Sequence, residues 1–288
     1  GPLSDVAQTA LGTLLPRVEA EFANQHGRLP GDGIAIVGLG KLGSAEMMIG
    51  SDIDLVFLYD DPAPDAAVAY ARFAQRINTW LTSLTSAGVL YDVDLRLRPD
   101  GASGLLVSTF ASYREYQMEK AWLWEHQALT RARFVAGDRD IGAAFESLRV
   151  AVLRKERDLD TLRRAVADMR RKLHDAHPNR TPLFDLKHDP GGIVDVEFAV
   201  QYLVLGHARA HGELTGNIGN LALLKLAARL GLVREECALA AHDAYRRLRQ
   251  LQHGLRLKGE RYARIAPEQV ANEIRAVREL WESVMGGG

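Results

Sequence analysis

The sequence lacks several features that would place it in a familiar class. Its single cysteine, Cys237, excludes an internal disulfide and a multi-cysteine metal site. No apolar run approaches the roughly 18 residues of a membrane span, so we expect no membrane association. Lysine and arginine number 36 against 37 acidic residues, which gives no bulk charge to attract nucleic acid. We therefore expect a globular, cytoplasmic protein that binds neither nucleic acid nor membrane.

Length and composition favour two domains. A chain of 288 residues, 47% of them hydrophobic, can bury a sizeable core. Residues 1–4 are typical of the remnant of a cleaved tag, and we expect a fragment of a longer protein. Strand signals largely stop after Phe145. The sequence therefore predicts an α+β domain with a leading helix over 1–145 and a helical domain over 146–288.

Hydrophobic periodicity places the elements within these domains. Strands are predicted over 34–37, 53–59 and 89–97, and helices over 5–25 and 66–86. In the second domain, helices are predicted over 149–174, 194–210, 217–230, 234–258 and 267–284.

A glycine-rich segment, Gly38-Leu-Gly-Lys-Leu-Gly43, follows the first predicted strand and matches the dinucleotide-binding fingerprint. Only residues 44–51 separate it from the next strand, which is too short for a parallel crossover. No Gly-Lys-Ser/Thr follows, so a Walker loop is also excluded. A glycine loop that opens a short helix can bring backbone N–H groups close to a phosphate. The alternative is a tight turn only.

Two carboxylates open the second predicted strand. Asp52 and Asp54 are two residues apart, so their side chains lie on the same side of the sheet. They repel one another unless cations neutralise them, and Mg²⁺ is the usual cation for oxygen ligands beside phosphates. Alternatively, Asp52 caps a turn and Asp54 bonds to Lys41 or Arg96.

A third carboxylate, Asp94, lies on the predicted strand 89–97. Asp92, Asp94, Arg96 and Arg98 share one face of that strand, and a buried sheet seldom carries four charges on one face without a ligand. Three convergent carboxylates can hold two metal ions for an in-line phosphoryl displacement. The two arginines either neutralise a triphosphate or pair with the neighbouring aspartates.

These residues resemble the polymerase-β-like nucleotidyltransferase superfamily through Gly43-Ser44, Asp52-Ile53-Asp54 and Asp94. Longer segments are similar to the glutamine synthetase adenylyltransferase family. They are GLGKLGSAEMMIGSDIDLVFLYD, YDVDLRLRPDGASGLLVS, WLWEHQALTRARFVAGD and FDLKHDPGGIVDVEFAVQYLVL. The resemblance implies an α+β nucleotidyltransferase domain with a mixed sheet, followed by an α-helical bundle.

The resemblance also implies an activity. Members of the family transfer AMP from ATP to a tyrosine hydroxyl of glutamine synthetase, using two Mg²⁺ ions, under control of the PII signal protein and glutamine. They contain one half that adds AMP and one that removes it by phosphorolysis. The sequences of residues 124–129 and 191–198 resemble those of the adenylylating half. The alternatives are the AMP-removing half and a non-catalytic, nucleotide-sensing module.

The resemblance assigns roles to individual residues. Asp52 and Asp54 would bind both ions, and Asp94 would bind the ion that activates the nucleophile. The expected ATP-binding residues are Gly43, Ser44, Lys41, Arg96, Arg98, Lys187, Asp195 and Glu197. From sequence alone, Asp195 and Glu197 also fit the start of a helix, where acids are favoured by the helix dipole.

Overall fold

The structure is a computed structural model that describes residues 1–29, 31, 33–86 and 88–286. The chain divides into two compact units, Gly1–Val152 and Leu153–Gly288. That residues 1–145 and 146–288 form two separately folding domains stays a prediction.

The first unit combines a mixed sheet with helices. In chain order its elements are α1 (Pro2–His26), β1 (Ile34–Leu39), the single turn α2 (Gly40–Gly43), β2 (Ile53–Tyr59), α3 (Ala66–Thr82), β3 (Val93–Asp94), β4 (Val107–Thr109), α4 (Phe110–Glu115), α5 (Leu123–Leu129), β5 (Arg133–Gly137) and α6 (Arg139–Leu153). A π-helical segment, Tyr116–Lys120, lies between α4 and α5. The predicted α+β class with a mixed sheet is confirmed.

The sheet has the strand order β3-β2-β1-β5. β1 pairs antiparallel with β2 and with β5, whereas β3 and β4 pair parallel with the two ends of β2. The antiparallel β1–β2 pairing excludes the dinucleotide-binding fold, in which these strands would be parallel. The short span between them had predicted this outcome.

The core of this unit is apolar because β2 is buried almost throughout and two helices cover the sheet. Helix α1 buries Leu11, Val18 and Phe22 along one face, at the spacing of an amphipathic helix. Phe22 meets Phe73 of α3 edge to face, with 5.4 Å between ring centroids. This contact joins α1 to α3 in the apolar core of the unit.

The predicted strand over 89–97 was wrong in its extent. Only Val93 and Asp94 pair with β2, and the chain turns from Arg96 onward. Asp100 and Gly101 both take positive φ angles, of 59° each, as a tight turn requires. Asp92, Arg96 and Arg98 therefore do not belong to a continuous strand face.

The second unit is helical. Its elements are α7 (Leu159–Asp175), β6 (Phe184–Asp185), α8 (Ile193–His207), α9 (Asn220–Arg229), α10 (Glu235–Leu257), β7 (Arg264–Ile265) and α11 (Ala271–Met285). Helix α8 is buried on most sides because α7, α9, α10 and α11 all pack against it. This arrangement confirms the predicted helical bundle. Among the described residues, no helix has the length and apolar character to span a bilayer.

The long helix predicted over 149–174 was wrong as a single element. Helix α6 ends at Leu153 and α7 begins at Leu159. The guanidinium of Arg157 donates to the carbonyl oxygens of Leu153 and Leu205, at 3.2 and 3.3 Å. Asp158 then caps α7 by accepting from the backbone N–H of Thr161.

Candidate active site

Three carboxylates meet where β2 and β3 begin. Asp52 directly precedes β2, Asp54 is its second residue, and Asp54 pairs in register with Asp94 of β3. The backbone N–H of Ile53 donates to the carbonyl of Asp92 at 2.9 Å, which closes this end of the strand pair. One oxygen from each of Asp52, Asp54 and Asp94 lies within 4.8 Å of the others.

Asp54 occupies the most unfavourable position of the three for a negative charge. Burial raises the pKa of its carboxyl from 3.8 to about 6, and repulsion by Asp52 and Asp94 adds to the effect. Lys41 and Arg131 lower the pKa and offset only part of it. A carboxylate cluster that its protein neighbours leave under-neutralised fits a divalent cation with oxygen ligands. The three aspartates could therefore hold metal.

Asp94 has its own cation. Arg96 donates from its backbone N–H at 2.8 Å and from Nε at 3.0 Å to the Asp94 carboxylate. These hydrogen bonds keep the pKa of Asp94 below its usual value. The Arg96 side chain is 79% exposed and can swing away at little cost. The sequence left open whether Arg96 pairs with Asp54 or with a neighbouring aspartate. In the structure it pairs with Asp94.

The glycine turn lies beside Asp54, because Leu39 of β1 pairs with Asp54 of β2. Gly40 has a φ of 53°, and a Cβ there would overlap Oδ2 of Asp54. A Cβ on Gly43 would overlap the carbonyl oxygen of Arg131. Glycine is therefore required at both positions, and the turn is only one helical turn long.

Ser44 follows the turn and is buried. Its hydroxyl donates to the carbonyl of Gly40 at 2.9 Å and accepts from Arg131 Nη2 at 3.2 Å. Arg131 also forms an ion pair with Glu46 at 3.3 Å. This network links the turn between α5 and β5 to the glycine turn. Sequence reasoning missed Arg131, whose only signal was its place in the family-like segment WLWEHQALTRARFVAGD.

The other two cationic residues predicted in the first unit, Lys41 and Arg98, have different surroundings. Lys41 lies near enough to Asp54 to lower its pKa. Arg98 donates from Nη1 to the carbonyl of Leu95 at 2.6 Å and from Nε to that of Gly104 at 3.1 Å. These bonds hold Arg98 against the turn after β3.

The remaining predicted residues belong to the second unit. Asp195 is buried, receives a hydrogen bond from Arg170 Nε, and accepts from the backbone N–H of Gly191 at 2.6 Å. Glu197 accepts from the Tyr245 hydroxyl at 3.2 Å. Both acids therefore have partners within their own unit. The side chain of Lys187 lines a cavity there.

A mixed sheet with three clustered aspartates beside a glycine turn defines a domain of the nucleotidyltransferase class. The family model for glutamate-ammonia ligase adenylyltransferase matches residues 3–148, and that for GlnD PII-uridylyltransferase matches residues 153–276. The chain belongs to the glutamate-ammonia ligase adenylyltransferase family.

Curated relatives agree with this assignment. Bifunctional glutamine synthetase adenylyltransferase/adenylyl-removing enzymes from Aromatoleum aromaticum and Nitrosomonas europaea are 54% and 51% identical to it over 99% of the chain. The enzyme of the same name from Bordetella bronchiseptica is 50% identical, also over 99% of the chain. The chain spans about a third of the length of these relatives, at 30%, 32% and 30%.

Proposed function

We propose that this chain transfers AMP from ATP to a tyrosine hydroxyl of glutamine synthetase in a Mg²⁺-dependent reaction. The observation that carries the proposal is the cluster of Asp52, Asp54 and Asp94, whose oxygens lie within 4.8 Å of one another. The family assignment and the activity for which the relatives are named support the choice of substrates.

In this proposal Asp52 and Asp54 hold two Mg²⁺ ions, and Asp94 holds one of them. Bound Mg²⁺ would offset the charge of the triphosphate and lower the pKa of the attacking hydroxyl. That help is needed because a tyrosine hydroxyl has a pKa near 10. The tyrosine oxygen attacks the α-phosphorus, the bond to the β-phosphate oxygen breaks, and pyrophosphate leaves.

Asp94 accepts the proton of the tyrosine hydroxyl in this scheme. Arg96 at present binds the Asp94 carboxylate and makes it a weaker base. We infer that Arg96 moves to the phosphates when ATP binds, which its exposed side chain permits. One movement would then free the proton acceptor and neutralise the leaving group.

The glycine turn and nearby cations bind the triphosphate in this proposal. Gly43 and Ser44 provide the close backbone approach, and Lys41, Arg96 and Arg98 provide positive charge. Arg131 holds Ser44 and Glu46 in place from the turn between α5 and β5. The assignment of Lys187, Asp195 and Glu197 to nucleotide binding stays a prediction.

We assign the chain to the adenylylating part of its bifunctional relatives. Residues 124–129 support that choice because their sequence resembles that of the adenylylating half. Three of them, Glu125, His126 and Gln127, are buried. Glu125 accepts from the backbone N–H of Trp122 at 2.8 Å and from the Tyr116 hydroxyl at 3.0 Å. The hydrogen bond from Tyr116 to Glu125 therefore links the π-helical segment to α5. The PII protein and glutamine would regulate the longer enzyme in the cytoplasm.

The test is transfer of label from α-labelled ATP to purified glutamine synthetase in the presence of Mg²⁺. Label from the α-phosphate, and not from the γ-phosphate, should remain on the synthetase after denaturation. Asp52→Asn should abolish transfer. Asp60→Asn is the matched control, because Asp60 is an exposed aspartate just beyond the other end of β2.

Other outcomes identify the alternatives. Phosphate-dependent release of ADP from adenylylated synthetase would assign the chain to the AMP-removing part. Tight ATP binding with no pyrophosphate release, in wild type and Asp60→Asn alike, would contradict catalysis and favour a nucleotide-sensing module.

A further inference from the structure

The second unit contains a cavity of about 680 Å³, within the range of small-molecule sites. It lies among the non-helical segment after α7, the end of α10 and the strand β7. All its lining residues belong to the second unit, so nothing about the cavity depends on the aspartate cluster of the first.

The lining is strongly basic. It includes Arg180, Lys187, Arg256, Arg261 and Arg264, against one acid, Asp185. Asp185 is already committed, since it pairs with Arg264 at 3.3 Å and accepts from the backbone N–H groups of Lys187 and His188 at 3.0 Å. Among the described residues, the side chains of Arg180, Lys187 and Arg256 form no ion pair. Three cations that line one cavity without counter-charge favour an anion there.

Gln252 gives a second, independent indication. It lines the cavity and is only 6% exposed, yet its side-chain amide forms no hydrogen bond with any described residue. Its amide atoms are nevertheless accessible from the cavity that the residue lines, so they can bond to a ligand there. An amide left without a protein partner at the wall of a cavity is suited to a ligand.

The two histidines of the cavity agree with a positive interior. His177 and His188 stack with their ring centroids 4.2 Å apart. Burial lowers the pKa of His188 to about 4, and the charges of Lys187, His177 and Arg170 contribute. His188 is therefore neutral, while its surroundings remain cationic.

We propose that this cavity binds a phosphate-bearing small molecule. Arg180, Lys187 and Arg256 would contact the phosphate oxygens, and the amide of Gln252 would donate to the ligand. Arginine suits this role because its planar fork matches phosphate oxygens. The shared chemistry is a phosphate or polyphosphate group. Its source is either ATP itself, bound separately from the aspartate cluster, or another phosphorylated molecule.

Pyrophosphate titrated calorimetrically into the intact chain with a metal chelator tests the proposal. The chelator removes metal-dependent binding at the aspartate cluster, and loss of binding in variants of the lining residues then identifies the cavity as the site. We expect Arg180→Ala with Arg256→Ala to weaken binding about tenfold or more, as loss of charge-assisted hydrogen bonds implies. Gln252→Leu should also weaken it. Arg247→Ala is the matched control, because Arg247 is exposed on α10 and does not line the cavity.

The outcomes are distinct. No pyrophosphate binding, or binding that the double variant leaves unchanged, overturns the proposal. Repeating the titration with Mg²⁺-ATP identifies the source. If the double variant removes an ATP-binding event that Asp54→Asn leaves intact, the cavity takes ATP itself. If the double variant weakens pyrophosphate binding but removes no ATP-binding event, the cavity takes another phosphorylated molecule. Either result is independent of AMP transfer.

Discussion

Asp54 is held as a half-buried acid next to two others, and this arrangement costs stability in the absence of metal. Its pKa of about 6 against 3.8 corresponds to a penalty on the order of 1–3 kcal/mol at neutral pH. We predict that Asp54→Asn raises the free energy of unfolding of the metal-free protein by that amount, measured by urea denaturation with a chelator. Asp60→Asn should change it by less than about 0.5 kcal/mol.

The effect of Asp54 on stability depends on pH in a definite direction. Above pH 6 the folded and unfolded chains both carry the ionised carboxylate, and the penalty is full. Between about 6 and 3.8 the folded protein binds a proton that the unfolded chain does not, so the penalty shrinks as the pH falls. The advantage of Asp54→Asn should therefore be smaller at pH 5 than at pH 7.5. An advantage that grows on acidification would contradict the assigned environment.

Asp195 offers a test of a structural role against a nucleotide-binding role. Asp195→Ala would leave the buried guanidinium of Arg170 and the backbone N–H of Gly191 without their partner. We predict a loss of about 3–5 kcal/mol in the free energy of unfolding, with partial recovery when Arg170→Met is added. Asp160→Ala is the control, because its pair with Arg163 is exposed and contributes less than about 1 kcal/mol. Unchanged stability with weakened ATP binding would instead assign Asp195 to the nucleotide alone.

At the scale of elements, the glycine turn α2 depends on a close approach to the turn between α5 and β5. A methyl group on Gly43 would overlap the Arg131 carbonyl, which is backbone and cannot move aside cheaply. We predict that Gly43→Ala lowers the free energy of unfolding by about 2 kcal/mol or more. Gly12→Ala is the matched substitution, since Gly12 is exposed within α1 and its Cβ would meet no atom within 4 Å. It should stabilise the protein by about 0.5–1 kcal/mol. Equal effects of the two changes would contradict the close packing of α2.

Strand β2 could be predicted from sequence, whereas β3 could not be predicted in full. Ile53–Tyr59 is apolar almost throughout, which is the pattern of a strand buried on both faces. Residues 89–97 alternate in polarity, but alternation does not distinguish a strand from a strand end followed by a turn. Pro99, Asp100 and Gly101 carried the turn signal, and Arg96 folds back on Asp94 within that turn.

The break between α6 and α7 depends on tertiary contacts. Arg157 is held by carbonyl oxygens that include that of Leu205, 48 residues away. The hydrophobic periodicity of residues 149–174 cannot predict a contact with a residue outside that segment. Asp158 was the local signal, because aspartate is a preferred N-cap residue.

For the molecule as a whole, the sequence could predict that the carboxylates meet but not what surrounds them. Asp52 and Asp54 share a side through their spacing, and a third acid on a neighbouring strand was the natural partner. Arg131 could not be found in this way, because it reaches Ser44 from 87 residues away across the sheet. The roles of the three aspartates stay a prediction that the labelling experiment tests.

The two units have separate cores, and we predict that they unfold separately. The buried cluster around the sheet draws on residues from α1 to β5 only, while α8 is enclosed by helices of the second unit. Differential scanning calorimetry of the metal-free chain should therefore give two transitions. Asp54→Asn should raise the midpoint of one transition, and Asp195→Ala should lower the midpoint of the other. A single transition that both substitutions move would mean that the chain unfolds as one cooperative body, and the proposed domain bounds would then have no thermodynamic meaning.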